Sequence, residues 1–492
     1  MTVTFSNARL LDGRLVDVTV TGGVISAVTP AGEVPARGEH IQLDGHLLIP
    51  GLWDQHTHFT QWAQSSRRVQ LGEAQSAADA AAMLASYADA HPDGDLVGVG
   101  FRDALWPDVP HFELLDEALS HGDIGDDGPE RRVVAVSADL HTVWLNSAAL
   151  KAHGFREHPS GVLREQDAFA VIDALDEVSV ETVDRWVHEA AEAAAARGVV
   201  GIVDFEWGYA PGDWLRRFAA GFDELRVSAA FYPDRFDDAL SLGVGGGEPL
   251  EESGLLTLGP LKVITDGSLN TRTAYLREPY HGHTGDGARG QLTVPPDELV
   301  ALLRRAVRAD LGAAVHAIGD HAISHALDAF AITGARGSIE HAQLVLPEDL
   351  PRFAALRVTA SVQPEHALDD RDIAERYWGA RCAHAFPLRA LTDAGAELAL
   401  GSDAPVAPLD PWVAIAAAVF RTRGDRPAWH GEQTVSVERA VQASVRSSIA
   451  VGQPADLVVL GADPREADVA ALRSQPVVAT MLAGRFSFDV IR

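Results

Sequence analysis

His56 and His58 stand two residues apart in the run Leu52-Trp53-Asp54-Gln55-His56-Thr57-His58, an extended apolar segment after Pro50-Gly51. Alternation along a strand turns both imidazoles to one side, where two neutral nitrogens grip one metal ion. With 20 histidines in 492 residues, chance alone supplies about one His-x-His. A second copy, His281-Gly282-His283, lies in the glycine-rich stretch Tyr280 to Gly290 and reads as loop. Strand setting and downstream partners distinguish the first copy. Later apolar runs end on Lys262 (Gly259-Pro260-Leu261-Lys262), His316 (Val315-His316-Ala317), His341 (Ile339-Glu340-His341) and Asp403 (Gly401-Ser402-Asp403). Four histidines and one aspartate converging at strand ends can hold one or two divalent ions. A lone histidine in an apolar run is usually a satisfied core residue, but four from three strands, aligned at the same ends, are hard to explain that way.

The elements that must position these residues form an alternating α/β pattern. Eight strand-like runs are legible: Leu52 to His58, Val199 to Phe205, Val227 to Tyr232, Leu261 to Thr265, Ala313 to Ala317, Ser338 to Ala342, Val358 to Gln363 and Glu397 to Gly401. Amphipathic stretches such as Thr182 to Arg197, Asp297 to Ala309, Ile323 to Phe330 and Phe386 to Ala394 supply helices between them. Eight such strands predict a closed (β/α)8 TIM barrel over residues 51–449, with its chemistry at the carboxyl ends of the strands. Short alternating runs at 1–50 and 450–492 are each too small to fold alone, and are expected to pair into one discontinuous β-sandwich. Residues 61–176 break the barrel rhythm and read as an inserted subdomain after the first strand. The insert has its own helix, Ala77 to Ala90, its own strands, Leu96 to Phe101 and Val133 to Val136, and a Gly/Asp-rich turn at 122–128. Loops at that end of a barrel surround the active site, so the insert is expected to shape the substrate pocket.

Composition narrows the function classes. The chain is 47% hydrophobic and carries a formal charge of −30, which repels phosphate backbones and anionic headgroups. Nucleic-acid and membrane partners are not expected; a small-molecule substrate is, and association of copies into a homo-oligomer is left open. Cys382 is the single cysteine, so no intrachain disulfide forms. Residues Met1 to Leu11 alternate as a strand and lack the basic start and apolar run of a signal peptide, so a cytoplasmic location is the expectation.

The order of ligand types along the strands resembles the amidohydrolase superfamily. The segments Gly51 to His58, Asp266-Gly267-Ser268-Leu269, His316-Ala317-Ile318-Gly319-Asp320, Ile339-Glu340-His341-Ala342-Gln343 and Gly401-Ser402-Asp403-Ala404-Pro405 resemble its amidohydrolase-3, or YtcJ-like, branch, which includes N-substituted formamide deformylase. The likeness spans nearly the whole chain. It implies that His56, His58 and Asp403 hold one divalent ion and His316 and His341 a second, zinc first with manganese or iron as alternatives. Lys262 would bridge them as an N-carboxylated carbamate, because an unmodified amine is protonated near neutrality and ligates poorly. Unmodified Lys262 pairing with an acid such as Asp266 stays open if a single ion binds. The implied activity is hydrolysis of carbon–nitrogen bonds other than peptide bonds. A water whose pKa the ions lower to about 7 attacks the carbonyl, and Asp403 carries its proton to the leaving nitrogen.

Substrate contacts are assigned to His141, in the family-like segment Asp139-Leu140-His141-Thr142, and to Trp106, Arg272 and Gln343. Asp320 either orients an imidazole or caps its helix. His321 and His325 have ligand spacing on a helix but lack the glutamate a zincin requires after the first histidine. The chain departs from the branch pattern at three places. Ser338 stands where arginine is common, Gln55 where small residues are usual, and Val445 to Gln453 is shorter than in family members, which bears on how the terminal strands dock. Two other readings are weighed: an ester or lactone hydrolase or heterocycle deaminase on the same site, and a non-catalytic regulatory barrel. A barrel relieved of catalysis is free to lose ligands, and this one lacks none.

Overall fold

The computed structural model describes all residues except 1, 34, 36, 92–93, 102, 104–105, 120–130, 138–141, 165, 177, 270 and 492. It contains two compact units, residues 1–62 with 188–492, and residues 63–187.

The first unit is built on eight parallel strands, labelled in chain order β1 (Leu52–Thr57), β2 (Val199–Asp204), β3 (Arg226–Phe231), β4 (Leu256–Ile264), β5 (Ala313–Ala317), β6 (Gly337–His341), β7 (Val358–Val362) and β8 (Leu398–Leu400). They pair in sequence from β1 to β8, as the alternating pattern predicts. β1 and β8 then meet through the chain beyond β8, where Asp403 N donates to His56 O at 2.7 Å and His58 N to Ala404 O at 2.8 Å. At the opposite mouth residues 443–445 stand between them, with Trp53 N on Ser444 O at 2.7 Å and Leu400 N on Ala443 O at 2.9 Å. The result is a nearly closed TIM barrel.

Outward residues of the strands, among them Val263, Val315, Ile339 and Val362, share one buried core with the surrounding helices. The helix Pro296–Arg308 shows why the sequence folds this way. Proline pre-sets its first turn, Asp297 and Glu298 face the positive dipole end, and Arg305 and Arg308 face the negative one. Leu299, Leu303 and Ala306 recur at helical spacing and are buried against the barrel. Each fully buried leucine contributes about 1.5–3 kcal/mol.

The strand-rich ends of the chain pair with each other as expected, hydrogen-bonding into one eight-stranded sheet. Its order is 485–489, 477–482, 457–460, 47–50, 2–9, 15–21 and 24–30, with 39–42 also on 2–9. The sheet curls onto itself: the Phe5 and Phe486 rings approach to 6.0 Å, and Ala455 N donates to Gly23 O at 2.9 Å. The strand Leu457–Leu460 pairs antiparallel with Leu47–Pro50 immediately before β1, so the short 445–453 connection does not prevent docking of the carboxyl-terminal strands. Arg226 at the start of β3 also ties this sheet to the barrel, its Nε donating to Asp456 Oδ2 at 2.6 Å.

The second unit holds a five-stranded sheet in the order 162–164, 142–145, 133–137, 96–101 and 68–70. Leu84, Leu96, Phe101, Leu115, Val133 and Trp144 form its core. The helix Ala77–Ala90 starts at Ser76, whose hydroxyl accepts from Asp79 N. The turn at 122–128 and His141 lie outside the described residues. Among the described residues no helix is long and apolar enough to cross a membrane.

Candidate metal centre

The end of β1 is held in place by acids that the chain buries for the purpose. Asp54 accepts from His56 N at 3.1 Å and from Ser402 N at 2.9 Å, stapling β1 to the residues after β8. Burial pushes its carboxyl up to about 7. Gly401 admits this approach, since a Cβ there would lie 2.7 Å from His56 N. Asp204 accepts from Phe59 N at 2.9 Å and Glu206 from Gln61 N at 2.8 Å, anchoring the turn that follows His58.

Two candidate ligands leave their strands in left-handed conformations, His341 with φ 74° and Asp403 with φ 59°. Backbone strain of this kind gathers at functional sites. The turns bring the side chains together. Asp403 Oδ1 lies 3.5 Å from His56 Nε2 and 3.4 Å from His58 Nε2, and Oδ2 lies 3.8 Å from His366 Nε2. Two sets of donor atoms fall within 4.8 Å of one another: His56, His58 and Asp403, and His341, His366 and Asp403. Lys262 Nζ is 3.2 Å from His56 Nε2 and 4.1 Å from the Phe205 ring centroid. It does not pair with Asp266, which instead accepts from the backbone of Tyr275, Ile318 and Gly319. The His316 ring packs 4.5 Å from that of His341, with its Nε2 turned 3.3 Å from Gly267 O and 3.4 Å from Asp266 Oδ1.

Hydrogen bonds behind the imidazoles set their tautomers. His56 Nδ1–H donates to Glu340 Oε2 at 2.6 Å and His341 Nδ1–H to Gln363 Oε1 at 2.8 Å, which leaves each Nε2 as the acceptor nitrogen, that of His56 accepting from Lys262 Nζ at 3.2 Å. Burial, with the Lys262 charge, holds His56 down at about 4, and burial keeps His341 well below the usual imidazole range. Both rings are therefore neutral near pH 7, as ligands must be. Burial lowers Lys262 to about 8, against the opposing pull of Glu340 and Asp403. Burial alone would raise Asp403, but the surrounding histidines, His56 first, hold it ionised well below the carboxylate range. Buried His58 Nδ1 and His366 Nε2 have no hydrogen-bond partner among the described residues. Imidazole nitrogens around one carboxylate, His366 Nε2 among them without a hydrogen-bond partner, form a donor set that suits a divalent ion.

Some of these residues carry little sequence signal. His366 sits two residues into the helix Pro364–Trp378, beyond β7, and nothing in its local spacing marks it. Glu340 is next to His341, yet its contact with His56 spans 284 residues. Trp207, just past β2, is 56% exposed, stacks on His58 at 6.2 Å and on Tyr232 at 4.8 Å, and is the open aromatic face beside the cluster.

Of the expected substrate contacts, Trp106 packs in the core of the second unit, its indole N–H on Ala74 O at 3.1 Å. Arg272 is exposed, with its guanidinium on the Tyr377 ring and hydroxyl, outside both donor sets. Gln343 is buried two residues beyond His341, and its Oε1 has no partner among the described residues. Asp320 accepts from Arg277 N at 2.8 Å at the start of its helix, so it organises backbone and not an imidazole. The His321 and His325 rings stack with Tyr275.

The sequence profile of the amidohydrolase family matches residues 39–488. The chain is similar to the putative amidohydrolase YtcJ of Bacillus subtilis (strain 168), at 26% identity over 92% of this chain and 90% of that protein. It is also similar to N-substituted formamide deformylase of Arthrobacter pascens, at 24% identity over 98% of this chain and 97% of that protein. Among solved structures, an uncharacterized metal-dependent hydrolase from Pyrococcus furiosus superposes with a TM-score of 0.74 at 25% identity, covering 95% of this chain and 100% of that one. The family resemblance carried by the strand-end motifs and the TIM-barrel fold are both found.

Proposed function

We propose a specific chemistry for this chain, which belongs to the amidohydrolase family and is a metal-dependent hydrolase: it hydrolyses a carbon–nitrogen bond other than a peptide bond in a small amide, N-formyl or cyclic amide. The observation that carries this reading is the position of Asp403, whose two carboxylate oxygens face His56 and His58 on one side and His366 on the other. In this reading His56, His58 and Asp403 would hold one ion, His316 and His341 a second with His366 as a further donor, and Lys262 would supply an anionic donor once carboxylated. Zinc suits the imidazole and carboxylate donors, with manganese or iron as substitutes. Divalent ions supply a hydrolytic nucleophile at neutral pH and polarise the scissile carbonyl.

The chain's own groups do the remainder. Glu340 and Gln363 fix the tautomers of His56 and His341 so that each Nε2 faces the site. Lys262, lowered to about 8, has an appreciable neutral fraction near physiological pH, the form that adds to carbon dioxide with release of a proton to solvent; the resulting carbamate would offer anionic oxygens to the ions. Asp403 accepts the proton of the attacking water and returns it to the leaving nitrogen, which departs as a neutral amine. Trp207 offers an apolar face beside His58 for the substrate body. Support for the amide bond comes from the name of the deformylase relative.

The test is metal analysis of protein purified without chelator, with hydrolysis of a panel of N-formyl amines, N-acyl amines, cyclic amides, esters and lactones. Bound metal and amine release from the nitrogen substrates are expected. Turnover confined to esters or lactones overturns the choice of bond, and absence of metal and of all turnover after zinc or manganese addition overturns the reading.

A further inference from the structure

The barrel interior below the metal centre is not filled. Interiors of eight-stranded barrels are normally packed by layers of side chains. Here small residues, among them Ala313, Gly337, Ser338, Ser361 and Ala399, line a cavity of about 760 Å³ at the amino-terminal mouth, opposite the strand ends that carry His58 and Asp403. Gln55, Phe205 and Glu340 line its inner end, and Arg357, Glu397 and Arg439 its rim. Gln55, Ser338 and Val445 to Ser447 also contribute to this wall.

The segment 443–450 crosses the mouth without a helix, and Arg446, exposed to solvent there, lines the cavity. Arg446 Nε donates to Gln55 Oε1 at 2.9 Å, and the guanidinium lies 4.3 Å from the Trp53 ring centroid. Among the described residues its two Nη atoms make no hydrogen bond. Ser361, 2% exposed, lines the same cavity, and its Oγ has no partner among the described residues. Three guanidiniums, Arg357, Arg439 and Arg446, line the cavity against two carboxylates, Glu340 and Glu397, which leaves one positive charge in excess. That local cationic excess occurs in a chain of net charge −30.

We propose that this cavity is a second binding site, distinct from the metal centre, and that it takes a small organic carboxylate. The carboxylate sits on the free edge of the Arg446 guanidinium and the Ser361 hydroxyl, where the planar fork matches its two oxygens. The apolar body lies along Val203, Phe205 and Leu398. A cavity of this size accommodates a ligand of several rings.

Calorimetric titration of the full-length protein, purified without chelator, with benzoate, benzamide and inorganic phosphate tests this. Saturable binding of benzoate is expected, with benzamide and phosphate at least tenfold weaker. Arg446→Met should weaken benzoate at least tenfold, and Ala399→Phe, which fills the cavity without touching a charge, should abolish it. His58→Ala should leave it unchanged. The proposal is overturned if benzoate does not bind, if it binds equally to wild type and both cavity variants, or if phosphate binds and benzoate does not. Loss of benzoate binding in His58→Ala also overturns it, by assigning the ligand to the metal centre.

Discussion

Replacing Glu340 by glutamine asks whether the carboxylate behind His56 governs metal affinity. His56 Nδ1 and Glu340 Oε2 are 2.6 Å apart, and their side chains are 1% and 2% exposed. Glutamine keeps an acceptor there, so the substitution removes the charge and spares the bond. A hydrogen bond to a charged group contributes roughly 1.5–3 kcal/mol and a neutral one roughly 0.5–1.5 kcal/mol. The difference, about 1–1.5 kcal/mol, converts to a roughly five- to tenfold loss of affinity. Groups that orient metal-binding histidines typically change affinity about 10–100-fold, so this lies at the gentle end. Glu340→Ala should lose roughly 1–3 kcal/mol more, because it leaves a buried imidazole N–H without an acceptor. Competition with a chromogenic chelator at fixed pH, on variants whose circular dichroism matches wild type, measures both. The expected order is wild type, then Gln, then Ala. Equal affinity for wild type and Glu340→Gln would refute the reasoning, since the carboxylate charge would then not be felt through the ring.

Three further outcomes follow from the same geometry. His56 titrates at about 4 in the fold against 6.5 ordinarily, so between these values the unfolded chain binds more protons and stability rises with pH. Metal-free protein should therefore lose up to about 3 kcal/mol as pH falls through this window, and denaturant titrations of His56→Gln should show a shallower loss; parallel profiles would remove His56 as the cause. Trp207→Ala should raise KM severalfold with little change in kcat, as expected for an aromatic wall that binds substrate and transition state alike, whereas a loss confined to kcat would place Trp207 in the chemistry. His366→Ala should lower metal content or affinity at least as much as Glu340→Gln, and unchanged metal binding would leave His366 a substrate contact only.

The sequence by itself determines the large-scale plan. β-branched and apolar runs alternating with amphipathic helices are read locally, so seven of the eight barrel strands are legible within one residue at either end, and β4 starts five residues earlier than expected. Candidate donor residues at strand ends are legible too, because a parallel barrel places those ends on one face, and His56, His58, Lys262, His341 and Asp403 do converge there. Only the tertiary structure decides what stands behind and beside them. The Glu340–His56 bond, the approach of His366 to Asp403 and the stack of Trp207 on His58 join segments far apart in sequence and depend on strand register and turn conformation. The curled single sheet and the unfilled mouth around Arg446 have the same origin. Local pattern records which face a residue presents, whereas contact between distant strands depends on how all eight close, and that geometry belongs to the assembled barrel.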